Sequence, residues 1–333
     1  MADTAFRPIP SGLARRLLNN KVIIAFMMVI LLFVAGEIFT PGFISFSHVM
    51  TVLQAAFFLG LMALGQTVVV LSGKEGLDLS VGSTMTVGVL LGAAVIQGQN
   101  GNVVPAILVV IAAGFMLGAV NGLGVAYLEI APLIMTLTWG IVIEGALLAI
   151  TRGHYPGKAS PALEALGRGS LSFPVGGWLV QIPWVLIIWI GVILLVSFAL
   201  TRTSTGFVLY GVGANDRAAE LLGIRTRRVR IIAYGMSGML SALSGILLLG
   251  YVQNPDIALS GRYVLLSVIS VIIGGISFGG GAGSYLGAVA GAIFMQTLLS
   301  ILVTLKIGDG LRGVITGLVL LLLLFAYTRR ARR

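Results

Sequence analysis

The chain has 333 residues, of which 58% are hydrophobic and 10% charged, with no cysteine. Soluble domains carry roughly 25% charged residues, and a mean hydropathy of +1.06 excludes a water-soluble enzyme, a fibrous or disordered chain and a disulfide scaffold. What remains is an all-α polytopic membrane protein, with apolar residues for about nine or ten spans of roughly 20 residues each. The net charge of +10 would suggest nucleic acid in a soluble protein; here the placement of the charges matters more.

Apolar runs and their Gly, Pro and charged punctuation predict ten spans. They cover residues 22–39, 49–71, 79–96, 104–128, 133–150, 184–200, 229–251, 263–278, 285–305 and 311–327. All belong to one membrane domain, residues 22–328. Segment 1–21 precedes it and a basic tail, 329–333, follows. A polar segment, 151–183, separates the fifth and sixth spans, and a charged loop, 201–228, separates the sixth and seventh. Lys and Arg collect in cytoplasmic loops. With both termini inside, the outer segments hold only Arg152, Lys158, Arg168, Arg262, Lys306 and Arg312 of the 21 basic residues. Both termini are therefore expected in the cytoplasm. The Arg run of the tail directly follows a span, so it reads as a topology anchor rather than a nucleic-acid patch. No cleavable signal peptide is expected.

Gly is used at 46 positions, about twice the usual frequency, as membrane helices do where backbones approach closely. One Gly-rich stretch, Gly76-Leu77-Asp78-Leu79-Ser80-Val81-Gly82-Ser83, sits between the second and third spans. Asp78 is a carboxylate close to the apolar region, where charge is costly and usually functional. A broken helix there would offer backbone donors and acceptors to a polar solute; the plainer reading is a turn with Asp78 capping the third span. A second stretch, from Gly274 to Ser284, separates the eighth and ninth spans, and its Gly281-Ala282-Gly283-Ser284 faintly repeats Ser80-Val81-Gly82-Ser83. Gln66, Asn121, Thr136, Thr138, Glu144 and Gln296 lie within spans. Each either bonds to a neighbouring helix or, with Asp78, Ser80 and Ser83, faces a solute path or its gate. Trp139 could stack on a sugar ring, but packing or lipid contact is the favoured reading. Glu37 and Glu129 lie near span ends and read as interfacial. With His48 and His154 far apart and no cysteine, no metal site is expected.

The charged loop contains a short capped helix. Asn215 suits the N-cap, Asp216 the first turn and Gly223 the position after the helix. The expected helix, 216–222, includes Arg217 and Glu220. Its Ala218, Ala219 and Leu222 make a small apolar face, which serves either as a knob for a partner or as a connector. The chain has no phosphate-binding loop; Gly73-Lys74 and Gly157-Lys158 lack the Ser or Thr that would complete one.

Four blocks give the chain a family resemblance. They are Gly76 through Ser83; Pro132 through Thr138 with Glu144-Gly145; Gly213 through Ile224 with Ser237-Gly238 and Ser244 through Leu248; and Ile273-Gly274-Gly275 through Ser284 with Gly287. In this order the chain resembles the permease subunit of bacterial ATP-binding-cassette importers of the ribose/xylose/arabinose class. It departs from the family pattern at Lys74, Glu75, Glu144 and Ala282. The resemblance implies a permease in the cytoplasmic (inner) membrane that passes a monosaccharide or related polyol inward by alternating access. It implies a second permease subunit, an extracytoplasmic sugar-binding protein, and a cytoplasmic ATPase docked on Asn215, Asp216, Arg217, Ala218, Ala219, Glu220, Leu222 and Gly223. ATP and Mg would bind the partner, with no cofactor in this chain. The competing reading is a proton-coupled secondary transporter that uses Asp78 or Glu144. An intramembrane enzyme lacks a nucleophile–base pair.

Overall fold

The structure, a computed structural model, describes residues 20–175, 178–259 and 261–331. The segment 1–19 and the last two Arg residues of the expected basic tail lie outside the described residues. The apolar runs fold as helices: α1 Lys21–Phe39, α2 Phe46–Leu71, α3 Val81–Ile96, α4 Val103–Ala126 and α5 Pro132–Thr151. After α6 Pro161–Arg168 and a β1 Ser170–Val175/β2 Trp178–Pro183 hairpin come α7 Trp184–Arg202, α8 Ser204–Ala214 and α9 Asp216–Leu221. The chain continues with α10 Thr226–Val252, α11 Tyr263–Ile273, α12 Tyr285–Thr304 and α13 Asp309–Ala331.

Seven stretches of the described residues are long and apolar enough to cross a membrane: α1, α2, the 100–126 segment that contains α4, α5, α7, α10 and α12. The helices α3 and α11 are apolar but shorter, and α13 occupies the tenth expected position. The structure departs from the expected pattern in three places. The 201–228 segment is not an open loop, since α8, α9 and the first turn of α10 fill it. The eighth apolar run stops being helical at Ile273, where Gly275 takes φ +73°. The 151–183 segment carries α6 and the antiparallel hairpin, whose register pairs Ser170 with Pro183.

The bundle is organised around α10, which packs on α4, α3 and α2. Within their apolar 18-residue stretches, 89% of α2 and 72% of α10 is buried, against 17% of α1 and of α5. A water-free medium gives helices no hydrophobic drive to associate, so close backbone packing must hold them. Gly114, Gly118 and Gly122 repeat every four residues and line one face of α4. A Cβ on Gly118 would land on the carbonyl oxygen of Tyr234 in α10, and one on Gly238 would land on that of Gly114.

At one end of the bundle, the end of α2, the end of α8 and the second Gly-rich stretch meet. Gly281 N–H donates to Leu71 O at 3.2 Å, and the Tyr210 hydroxyl donates to Gly283 O at 2.7 Å. Lys21 at the start of α1 joins the same end, donating to Gly275 O at 3.1 Å.

Candidate functional site

The segment 72–80 between α2 and α3 is not a surface turn. Lys74 and Glu75 take left-handed backbone conformations at φ +52° and +53°, and Asp78 and Ser80 return to the buried interior. Non-helical backbone at this depth finds no water, and an unpaired buried peptide group costs roughly 1–3 kcal/mol. Side chains from the neighbouring helices supply the missing partners. Gln66 on α2 donates from Nε2 to Asp78 O at 3.1 Å and accepts the Asp78 N–H at Oε1, 3.0 Å. Thr136 on α5 accepts the Leu79 N–H at 3.0 Å. The Tyr234 hydroxyl on α10 donates to Leu77 O at 3.4 Å.

The Asp78 carboxylate is buried in the same cluster. Its Oδ1 accepts from Ser80 N at 3.0 Å and from Ser80 Oγ at 2.7 Å. Its Oδ2 accepts from Ser237 Oγ on α10 at 2.8 Å. Asn121 on α4 donates to Ser80 Oγ at 2.7 Å and lies 3.5 Å from Asp78 Oδ1. Asp78, Ser80, Gln66, Asn121 and Thr136 thus come together as a clamp that holds the break closed. Asp78 is not the cap expected for the third span. Ser80 occupies that position without a side-chain cap bond, and Asp78 bonds the N–H two residues on, as an Asx turn does.

Beside the clamp lies a cavity of about 210 Å³. Its polar lining is Ser83 and Thr86 from α3 and Glu144 from α5, and its apolar walls include Leu79, Ile141 and Val264. Gly140 completes the wall where α5 approaches α3. Of the residues expected on a path, Ser83 and Glu144 line this space. Thr138 is exposed on α5. Gln296 instead ties α12 to α2, donating to Ala55 O at 3.3 Å. Trp139 packs α5 on α4, with its indole N–H on Leu117 O at 3.0 Å. Glu37 caps the turn after α1, accepting from Gly42 N and Ile44 N at 2.9 and 2.8 Å. Among the described residues there is no group of three or more metal-ligating side chains.

The short helix α9 stands at the end of the bundle where α2, α8 and the Gly-rich stretch meet. Asn215 Oδ1 accepts the Ala218 N–H at 3.0 Å. Gly223, at φ +81°, and Ile224 close the other end, donating to Glu220 O at 2.9 Å and Ala219 O at 3.1 Å. This is a Schellman turn, and it ends the helix at Leu221 rather than 222. The outward face also differs from expectation. Ala219 is 4% exposed and anchors the helix, whereas Leu221 and Leu222 are 82% and 81% exposed. Asn215, Arg217, Ala218 and Glu220 are exposed beside them. Asp216 pairs with Arg230 at 2.6 Å and with Lys74 at 3.5 Å.

Sequence reasoning missed Ser237, Tyr234 and Arg230 as members of the site. Arg230 lies in α10 and is 2% exposed. The signal was a polar residue every three or four positions along one face of an otherwise apolar helix.

Residues 48–324 match the family described as branched-chain amino acid transport system / permease component, and the chain belongs to that family. It is therefore a permease, the membrane-embedded component of a transport system rather than an enzyme. It is similar to the fructose import permease protein FruF of Bifidobacterium longum, 29% identical over 89% of this chain and 85% of the relative. It is also similar to the autoinducer 2 import system permease protein LsrC of Salmonella typhimurium, 33% identical over 91% and 84%. The LsrC of Escherichia coli O9:H4 is 33% identical over 92% of this chain and 86% of the relative. No solved structure matches the chain.

Proposed function

We propose that the chain is the permease of an ATP-driven importer for a monosaccharide or related polyol. The observation that carries this reading is the small cavity beside the clamped break, walled by apolar side chains and carrying Ser83, Thr86 and Glu144. Its volume equals that of roughly seven waters at about 30 Å³ each, the scale of a small solute. Hydroxyls and a carboxylate suit a solute rich in O–H donors. No Lys or Arg is among the described lining residues to hold the carboxylate of an amino acid. Relatives named for fructose and autoinducer 2 import support the same choice. Nothing in the site or its relatives favours the proton-coupled alternative.

In this reading the chain sits in the cytoplasmic membrane, with the α9 end and both termini facing the cytoplasm. A partner ATPase, which holds ATP and Mg, docks on the exposed face of α9. An extracytoplasmic binding protein delivers solute, and a second permease subunit completes the pathway. Ser83 and Glu144 contact the passing solute, and the Asp78 clamp sets the shape of the path wall. Uptake assays in cells expressing the chain with its partner subunits test the solute class. Labelled fructose, ribose and xylose against labelled leucine should give saturable sugar uptake; leucine uptake without sugar uptake would reject the reading.

A further inference from the structure

One face of α10 joins two parts of the molecule that the proposed transport cycle must connect. Arg230, Tyr234 and Ser237 lie at spacings of four and three, so they share a side of the helix. At one end, the buried Arg230 guanidinium meets Asp216, the first residue of α9, at 2.6 Å. One turn further, the Tyr234 hydroxyl holds Leu77 O. Less than another turn on, the Ser237 hydroxyl holds the Asp78 carboxylate at 2.8 Å. The whole stripe spans eight residues, about 10 Å of helix. Lys74, at the start of the break, approaches Asp216 from the other side at 3.5 Å. Asp216 therefore holds both ends of the link: the helix that carries the clamp's partners and the loop that leads into the clamp.

We infer that Asp216 and Arg230 are positioning residues that tie the docking helix to the clamped break, so that a push on α9 is felt at Asp78. The link is short: Asp216 is partly exposed and meets Arg230 as an ion pair rather than through an aligned hydrogen bond, and beyond it Arg230, Tyr234, Ser237 and Asp78 are buried and close-packed, so they transmit displacement rather than absorb it. Arg230 is 2% exposed, and among the described residues Asp216 is the one carboxylate that pairs with it. A buried cation that loses its single counter-charge must move or be rehydrated. Displacing Asp216 would then shift Arg230, and with it the face of α10 that carries Tyr234 and Ser237. Only the use of the link in transport rests on the permease reading; its existence is a property of this chain alone.

Hydrogen exchange on the intact chain in lipid nanodiscs tests it without any partner. The probes are the amides of Asp78, Leu79 and Ser80, each bonded to a side chain of the clamp. In Asp216→Asn, and in Arg230→Gln, exchange at these three amides should rise roughly tenfold, or about 1.4 kcal/mol of local stability. Arg230→Lys should restore most of the protection. Glu220→Ala, on the same short helix, removes the acceptor of a 2.9 Å bond from the Thr226 hydroxyl at the start of α10 and should leave the three amides unchanged. Faster exchange confined to α9 and the first turn of α10 in Asp216→Asn would overturn the inference. If the single variants do not insert, the reversed set Asp216→Lys with Arg230→Glu and Lys74→Glu, which keeps opposite charges at both contacts of residue 216, decides. Recovery of insertion with protected amides supports the link; recovery with unprotected amides, or no recovery, overturns it.

Discussion

The side-chain amide of Gln66 pairs with both the N–H and the C=O of Asp78, at 3.0 and 3.1 Å. It does for an unwound peptide group what the next turn of a helix would have done. A single residue of α2 thereby makes the break between α2 and α3 tolerable inside an apolar bundle. Gln66→Leu keeps the volume and leaves two buried peptide groups unpaired, which should cost about 2–6 kcal/mol. Thermal unfolding of the purified chain in detergent should show a large drop. Gln296→Leu removes a single, longer bond to Ala55 O and should lower stability far less.

Asp78 serves the same clamp through its side chain. Its oxygens accept from Ser80 and Ser237. Asn keeps one acceptor oxygen and offers an amide to the Ser237 oxygen, so Asp78→Asn should insert and purify near the normal level. Asp78→Leu leaves the Ser80 N–H and the Ser80 and Ser237 hydroxyls without an acceptor, and should lose several kcal/mol and most of the folded protein. Quantitative membrane blots and unfolding temperatures check both. Equal levels of the two variants would show that the carboxylate does not hold the break.

Much of this architecture was legible in the sequence. The runs of apolar residues are long, and their Gly and Pro punctuation placed α1, α2, α4, α5, α7, α10 and α12 to within a few residues. The caps of α9 were legible too, because Asn215 and Gly223 act locally. What the sequence did not display was which polar residues face one another. Gln66, Asn121 and Thr136 resemble path-lining residues as strongly as they resemble partners for unwound backbone; only the fold brings them onto Asp78 and Leu79. The outward side of α9 was misjudged for a related reason. In so short a helix the buried face is set by the floor beneath it, and that floor takes Ala219 while leaving Leu221 outside.

That correction changes the useful substitutions on α9. Bulk at Ala219 would disturb the helix's own seat, so it would not isolate docking. Leu221→Asp with Leu222→Asp replaces two side chains that are 82% and 81% exposed, and should leave stability within about 1 kcal/mol. Gly223→Val places a β-branched residue at φ +81° and should displace the turn that ends the helix. Both variants should reach the membrane, retain little ATPase in pull-downs and lose solute-stimulated hydrolysis. Undiminished co-purification in both would move the docking surface elsewhere.

Glu144 is the one ionisable group among the described residues that line the cavity. A hydrogen bond to a charged acceptor contributes about 1.5–3 kcal/mol and a neutral one about 0.5–1.5. Glu144→Gln should therefore raise the half-saturating solute concentration for the permease step roughly fivefold or more, and Glu144→Leu should raise it further, with normal protein levels in both. Transport kinetics at saturating binding protein measure this. Unchanged kinetics in both variants would mean that the carboxylate faces away from the solute.

The most direct test of the permease reading is solute uptake into proteoliposomes that contain the chain, with and without its partner ATPase and binding protein. The account predicts sugar accumulation only when the partners and ATP are present, and no uptake by the chain alone under an imposed proton gradient. Gradient-driven accumulation by the chain alone, without ATP, would contradict it.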